Sequence, residues 1–218
     1  AEAERLFGHL PARGPAPAEP ARFEGGEWRR EKPLEQAHLT LAFETPGYRA
    51  ADVYDAQIFA TAFGGGMSSR LFQEAREKRG LCYSVFAQAG AYADTGMMTI
   101  YAGTGGEELG ALAALTVDEL RRAAGDMTPT EVDRARAQLK AGLLMGLESP
   151  SNRAERLARM IHIWDRVPTL EETVAKIDAV TRVGVRDFAA GIVTAAPAAL
   201  ALYGPVDTAL NLQQLQER

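Results

Sequence analysis

The sequence predicts an α+β domain in which a mainly antiparallel sheet is layered with helices. Three observations carry this. Strand patterns come early and return only near the end, with an unbroken block of helical patterns between them. Grouped rather than alternating elements favour such a layered sheet over a doubly wound parallel one. Two period-two segments around Ala93-Asp94-Thr95-Gly96 read as a hairpin, which is antiparallel by construction. Two capping boxes, Thr128-Pro129-Thr130-Glu131 and Thr169-Leu170-Glu171-Glu172, fix helix starts inside the later block.

Taken in order, residues 3–10 suit the last helical turns of a preceding domain. Residues 11–21 hold four prolines, which remove backbone donors and favour extended chain, so they read as a linker. Gly25-Gly26 marks a turn, and residues 28–32 suit a polar strand. Residues 37–43 place Leu39, Leu41 and Phe43 on one face, the period of a strand. Residues 51–63 lack that alternation and run into Gly64, as a helix with a glycine stop does. Residues 69–78 suit a short helix, with Ser68 or Ser69 as its cap and Gly80 just past its end. Residues 82–91 and 97–102 are the two arms of the hairpin, and Gly103, Gly105 and Gly106 end the pattern. Residues 107–124 bring Leu109, Leu112, Leu115 and Leu120 near one helical face. The helix after Thr128 spaces Val132, Ala135, Leu139 and Leu143 likewise. Ser149-Pro150 opens a helix through Trp164, residues 181–192 suit another, and residues 198–203 form a last strand before Gly204-Pro205.

Composition narrows the function. With 218 residues the chain can bury a sizeable core without disulfides, and its single cysteine, Cys82, excludes an intrachain one. That fits a reducing compartment. No histidine stands beside Cys82, so it reads as a small buried strand residue, not a nucleophile. A net charge of −5 argues against nucleic acid as a partner. No apolar run approaches the ~20 residues of a membrane span. The first residues lack a signal pattern and an initiator Met, so the chain is expected to begin inside a longer protein.

The chemistry-bearing stretch runs from Phe63 to Val85. It joins a glycine run, Gly64-Gly65-Gly66, to a short basic helix, a glycine stop and a strand. The run does not match a phosphate loop, because no Lys-Ser or Lys-Thr closes it and it follows a helix. By itself it is a helix stop and connector. Arg76 by itself would be one charge on a solvated face, and Tyr83 a strand residue with a satisfied hydroxyl. Together a guanidinium fork and a phenol can donate to the carbonyl oxygens of an extended peptide, and to charge that develops there. The three histidines, His9, His38 and His162, form no clustered motif, so no metal site is expected in this chain.

That stretch resembles the C-terminal half of the pitrilysin and mitochondrial-processing-peptidase family of insulinase-like zinc metallopeptidases, bacterial type. The matching residues include Gly25-Gly26, Leu41-Ala42-Phe43, the block from Gly64 to Phe72, and the block from Arg76 to Ser84. They continue through Asp94-Thr95-Gly96, the segment from Arg134 to Lys140, and Tyr203-Gly204-Pro205-Val206. The resemblance implies a two-half enzyme enclosing a chamber. Its first half carries zinc on H-x-x-E-H with a further glutamate; its second half lacks zinc ligands and engages the peptide through an arginine and a tyrosine. Those two map onto Arg76 and Tyr83, and the glycine connector onto Gly64, Gly65 and Gly66.

The chain is therefore expected to be the substrate-binding half of a zinc metalloendopeptidase, inactive alone, with catalytic residues and zinc ligands outside it. Its partners would be a peptide and an N-terminal zinc-binding half or partner subunit, in a dimer. The location would be the bacterial cytoplasm, or alternatively the mitochondrial matrix. The expected division is 1–22 for the end of a preceding domain and linker, 23–206 for the substrate-binding domain and 207–218 for a C-terminal tail. A competing reading is a non-catalytic scaffold or partner subunit of the same family, which includes inactive subunits and core subunits of the respiratory bc1 complex. A stand-alone small-ligand module built on the glycine run is a third, disfavoured by the missing phosphate motif.

Overall fold

The computed structural model describes residues 2–11, 19–194 and 197–218. The linker expected over 11–21 lies mostly outside the described residues. In chain order the elements are α1 (Glu2–Phe7), β1 (Gly26–Glu31), β2 (Ala37–Thr45), α2 (Val53–Gly64), a π-helical turn (Phe72–Glu77), β3 (Ser84–Ala91) and β4 (Gly96–Thr104). Then follow α3 (Leu109–Asp126), α4 (Pro129–Gly146), α5 (Pro150–Trp164), α6 (Leu170–Ala179), α7 (Arg182–Thr194), β5 (Ala198–Gly204) and α8 (Leu212–Gln216).

All five strands share one sheet in the order β1-β5-β2-β4-β3. Leu39, Val85, Ile100 and Leu202 thus lie in a single sheet, as the sequence predicts. Three pairings are antiparallel. The edge pairing of β1 with β5 is parallel. Alternation decides which face is covered. Leu39, Leu41 and Phe43 on β2, Met98 and Ile100 on β4, and Leu200 and Leu202 on β5 are buried on one side. They form a core with Ile58, Phe59 and Phe63 of α2, Leu109, Leu112 and Leu120 of α3, and Val185, Ala189 and Ile192 of α7. Each fully buried large side chain contributes about 1.5–3 kcal/mol.

The opposite face carries one ring from every strand. Trp28 stacks on Tyr203 at 6.4 Å, Tyr203 on His38 at 6.2 Å, His38 on Tyr101 at 6.0 Å and Tyr101 on Phe86 at 5.1 Å between centroids. These spacings are those of favourable ring pairs. The row crosses the sheet because His38 is in register with Tyr203, and Phe86 with Tyr101.

Both predicted capping boxes form, at Thr128 and Thr169. The C-terminal residues dock on the body: Leu215 of α8 is buried, and Arg29 donates to the carbonyls of Val206 and Ala209. α5 stands further from the sheet, with Ile163 as its one buried residue. A cavity of about 620 Å³ opens between α2, α4, α5 and α6, walled by Tyr54, Leu143, Met160 and Trp164 among others.

Two local expectations need correction. The helix expected over 69–78 is largely π-helical, its Lys78 N–H reaching back to the Gln73 carbonyl at 3.0 Å. No serine side chain caps it. Ser69 is buried with its Oγ unpartnered, and only its backbone engages: its N–H donates to the Gly66 carbonyl and its carbonyl accepts from the Gln73 N–H.

Candidate functional site

The site begins where α2 meets β3. A Cβ on Gly64 would lie 2.4 Å from the Ala87 nitrogen, so glycine lets the helix end press directly on the strand. Gly65 closes the helix with its N–H on the Thr61 carbonyl at 2.9 Å. Gln138 of α4 donates to the Gly65 carbonyl at 2.7 Å and would lie 3.3 Å from a Cβ on Gly66. Among the described glycines only Gly26, Gly80 and Gly204 have positive φ, so the run 64–66 is a close-packed connector and not a left-handed turn.

Past this connector the chain is pinned by Arg70. Its guanidinium grips Glu131 of α4 with two bonds, 2.9 and 3.0 Å, and also pairs with Asp126. The π-helical turn then carries Arg76, and Gly80, at φ +64°, reverses the chain. Gly80 N–H reaches the Arg76 carbonyl at 3.1 Å, and Leu81 N–H the Ala75 carbonyl at 2.8 Å. Tyr83 N–H then joins the sheet at the Gly103 carbonyl, 2.9 Å away. The reversal brings Arg76 close enough to Cys82 for its charge to act on the thiol. Burial still pushes that thiol above its ordinary value, so Cys82 is a poor nucleophile.

Residues 70–79 hold four cations, and their partners differ. Arg70 is paired as above. Lys78 and Arg79 both bind Glu74, at 2.5 and 2.6 Å, and those bonds hold the Glu74 carboxyl below the usual range. Arg76 has no ion pair among the described residues; it lies exposed with its guanidinium 4.9 Å from the Phe72 ring centre. Tyr83 is 65% exposed. The structure thus brings the two sequence-predicted donors to one chain reversal and leaves both facing outward from the core. Neither lines the large cavity.

Sequence reasoning missed Arg70 and the ring row. By sequence Arg70 is one of several charges in a short basic helix; the clue to its role is Glu131, whose place in a capping box puts a carboxylate at a fixed point. The ring row needed strand register, which no local pattern supplies.

The residues do not suit zinc. His38 shares a 2.8 Å hydrogen bond with the Tyr101 hydroxyl through Nδ1, His9 lies just past α1, and His162 is on α5. Among the described residues no three His, Cys, Asp or Glu side chains converge as a metal site would require.

Residues 1–139 match the family model described as the peptidase M16 inactive domain. An uncharacterized zinc protease of Rickettsia bellii is 39% identical over 172 residues, covering 78% of this chain and 42% of that protein. One of Bacillus subtilis is 34% identical over 206 residues, covering 94% of this chain and 50% of its own length. The chain spans about half the length of the curated relatives it matches. Among solved structures, a chain of complex III2 from Candida albicans superposes with a TM-score of 0.87 at 22% identity, over 99% of this chain and 54% of that one. A protease from Helicobacter pylori superposes at 0.78 with 19% identity, over 93% of this chain and 50% of that one. Those two likenesses show the fold. With the family model covering most of the sequence and the relatives named zinc proteases, the chain belongs to the M16 peptidase family and carries its inactive domain.

Proposed function

We propose that this chain is the peptide-gripping half of a zinc metalloendopeptidase, with Arg76 and Tyr83 as the residues that hold the substrate. The observation that carries the reading is the contrast within residues 70–79: three cations are bound by carboxylates, while Arg76 stands exposed, as does Tyr83 on the far side of the Gly80 reversal. A planar guanidinium and a phenol there can donate to a peptide carbonyl whose charge grows during hydrolysis. Gly64, Gly65 and Gly66 serve the same site by letting the connector lie flat between β3 and α4, so that the turn behind it starts at a fixed place. The zinc and its ligands belong to an N-terminal half, in the same chain or a partner subunit, and the working unit is a dimer in the bacterial cytoplasm. Support for the zinc-protease part of this reading comes from the family match and from the names of the relatives.

The test is steady-state hydrolysis of a fluorogenic peptide by the full-length protein. Tyr83→Phe is expected to lower turnover by about 10²–10³, the usual effect of losing one transition-state donor. Arg76→Lys should also lower it, because an ammonium cannot reproduce the fork. Melting temperatures should hardly move, since both side chains are exposed. Near-normal turnover in both variants would refute the reading and favour a scaffold.

A further inference from the structure

We propose that Arg70 is the positioning residue of this site: it fixes the π-helical turn on α3 and α4, and so sets where Arg76 points. The inference rests on the reading of Arg76 and Tyr83 as peptide donors. It starts from a deficit. A π-helical turn is a rare conformation, frequent at functional sites. Here it also lacks a side-chain cap, and Ala75 is its one buried residue. Something outside the turn must choose this register.

Arg70 meets that need. It sits two residues before the turn, and its side chain is 9% exposed. Its Nε and one Nη bond the two oxygens of Glu131, and the other Nη bonds Asp126. Glu119, 3% exposed, lies 3.9 Å away. Those acids come from α3 and the start of α4, so one guanidinium ties the turn to two helices. Glu131 is itself fixed, since its carboxylate accepts from the Thr128 N–H at 2.8 Å in the α4 capping box. The anchor is therefore a capped helix start, whose carboxylate is already held by the capping box.

The charges show why arginine stands here. Glu119, Asp126 and Glu131 face Arg70, and the first two also face Arg122, which pairs with Glu119 at 2.6 Å and with Asp126 at 3.4 Å. Without Arg70, Glu119 and Asp126 would be left with Arg122 alone, and Glu131 would keep only its bonds to Thr128. Lysine would restore charge but not the two-oxygen grip that sets direction.

The experiment uses the full-length protein with Arg70→Lys, Arg76→Lys and the double variant. Amide exchange is followed across residues 72–83 and, as control, across β4. Arg70→Lys should accelerate exchange over 72–83 while β4 keeps its protection. Peptide kcat/KM should fall by up to about a hundredfold, as small misplacements of a holding group can cause. In the Arg76→Lys background the same change should cost far less, because a residue acting through Arg76 has nothing left to position. Unchanged exchange over 72–83, exchange accelerated equally in β4, or a full additive loss in the double variant would each overturn the proposal. If Arg76→Lys alone leaves hydrolysis intact, the peptide reading falls and the positioning role with it. The exchange data then show separately whether Arg70 holds the turn.

Discussion

At position 64 a methyl group would meet the Ala87 nitrogen at 2.4 Å and its Cβ at 2.7 Å, so α2 and β3 approach as closely as they do only because that residue is glycine. Gly80 answers a different demand: its φ of +64° is a conformation that a Cβ disfavours. Gly142, in α4, answers neither, since a Cβ there would meet nothing within 4 Å. The three positions should respond differently to alanine in chemical denaturation. Gly64→Ala is expected to destabilise by about 1–3 kcal/mol through overpacking. Gly80→Ala should cost about 1–2 kcal/mol through backbone strain. Gly142→Ala should stabilise by about 0.5–1 kcal/mol, the gain of alanine over glycine inside a helix. A Gly64→Ala variant as stable as the parent would show that the close approach of helix and strand is wrong. Residue roles were legible from sequence where one residue type has one use. Gly80 after a helix reads as a stop; Gly64 reads as a stop too, and α2 does end there, but the sequence does not show that the same glycine is also a close contact with β3.

Helix starts were the most legible elements, because a capping box is complete within four residues. Thr128 and Thr169 each accept from the N–H three residues on, and Glu131 and Glu172 reach back to the cap N–H. The π-helical turn was not legible, because its register depends on Arg70 bonds to residues 56 and 61 positions away. Those bonds also make a prediction about pH. Burial alone would raise the Glu131 carboxyl, but hydrogen bonds from Arg70 and Thr128 hold it below the usual carboxylate range. A depressed carboxyl contributes stability that is complete above its unfolded value, about 4.3, and is lost as pH falls through the lower folded value. Melting temperatures of the parent and of Glu131→Gln, measured from neutral pH downward, should therefore differ most at neutral pH and converge in acid. A gap that stays constant across that range would show that the Glu131 charge contributes nothing.

At the scale of the molecule, the grouping of strands and helices was enough to read one layered sheet, and the hairpin was enough to make it mainly antiparallel. The parallel edge was out of reach: β1 pairs with β5, and polar residues 28–32 do not announce a partner near the other end of the chain. The ring row was hidden for the same reason, since Trp28, Tyr203, His38, Tyr101 and Phe86 become neighbours only once register is known. What the fold does present is a domain of the M16 family with a fixed chain reversal, two outward donors and no converging metal ligands among the described residues. The central claim is that such a chain grips substrate for a zinc-bearing half. The most direct measurement is reconstitution: this chain and a separately produced zinc-binding half are assayed for peptide hydrolysis and bound zinc, alone and mixed. The account predicts no stoichiometric zinc and no hydrolysis from this chain alone, and hydrolysis in the mixture that Tyr83→Phe in this chain largely abolishes. One tightly bound zinc on this chain, or mixed activity indifferent to Tyr83→Phe, would contradict it.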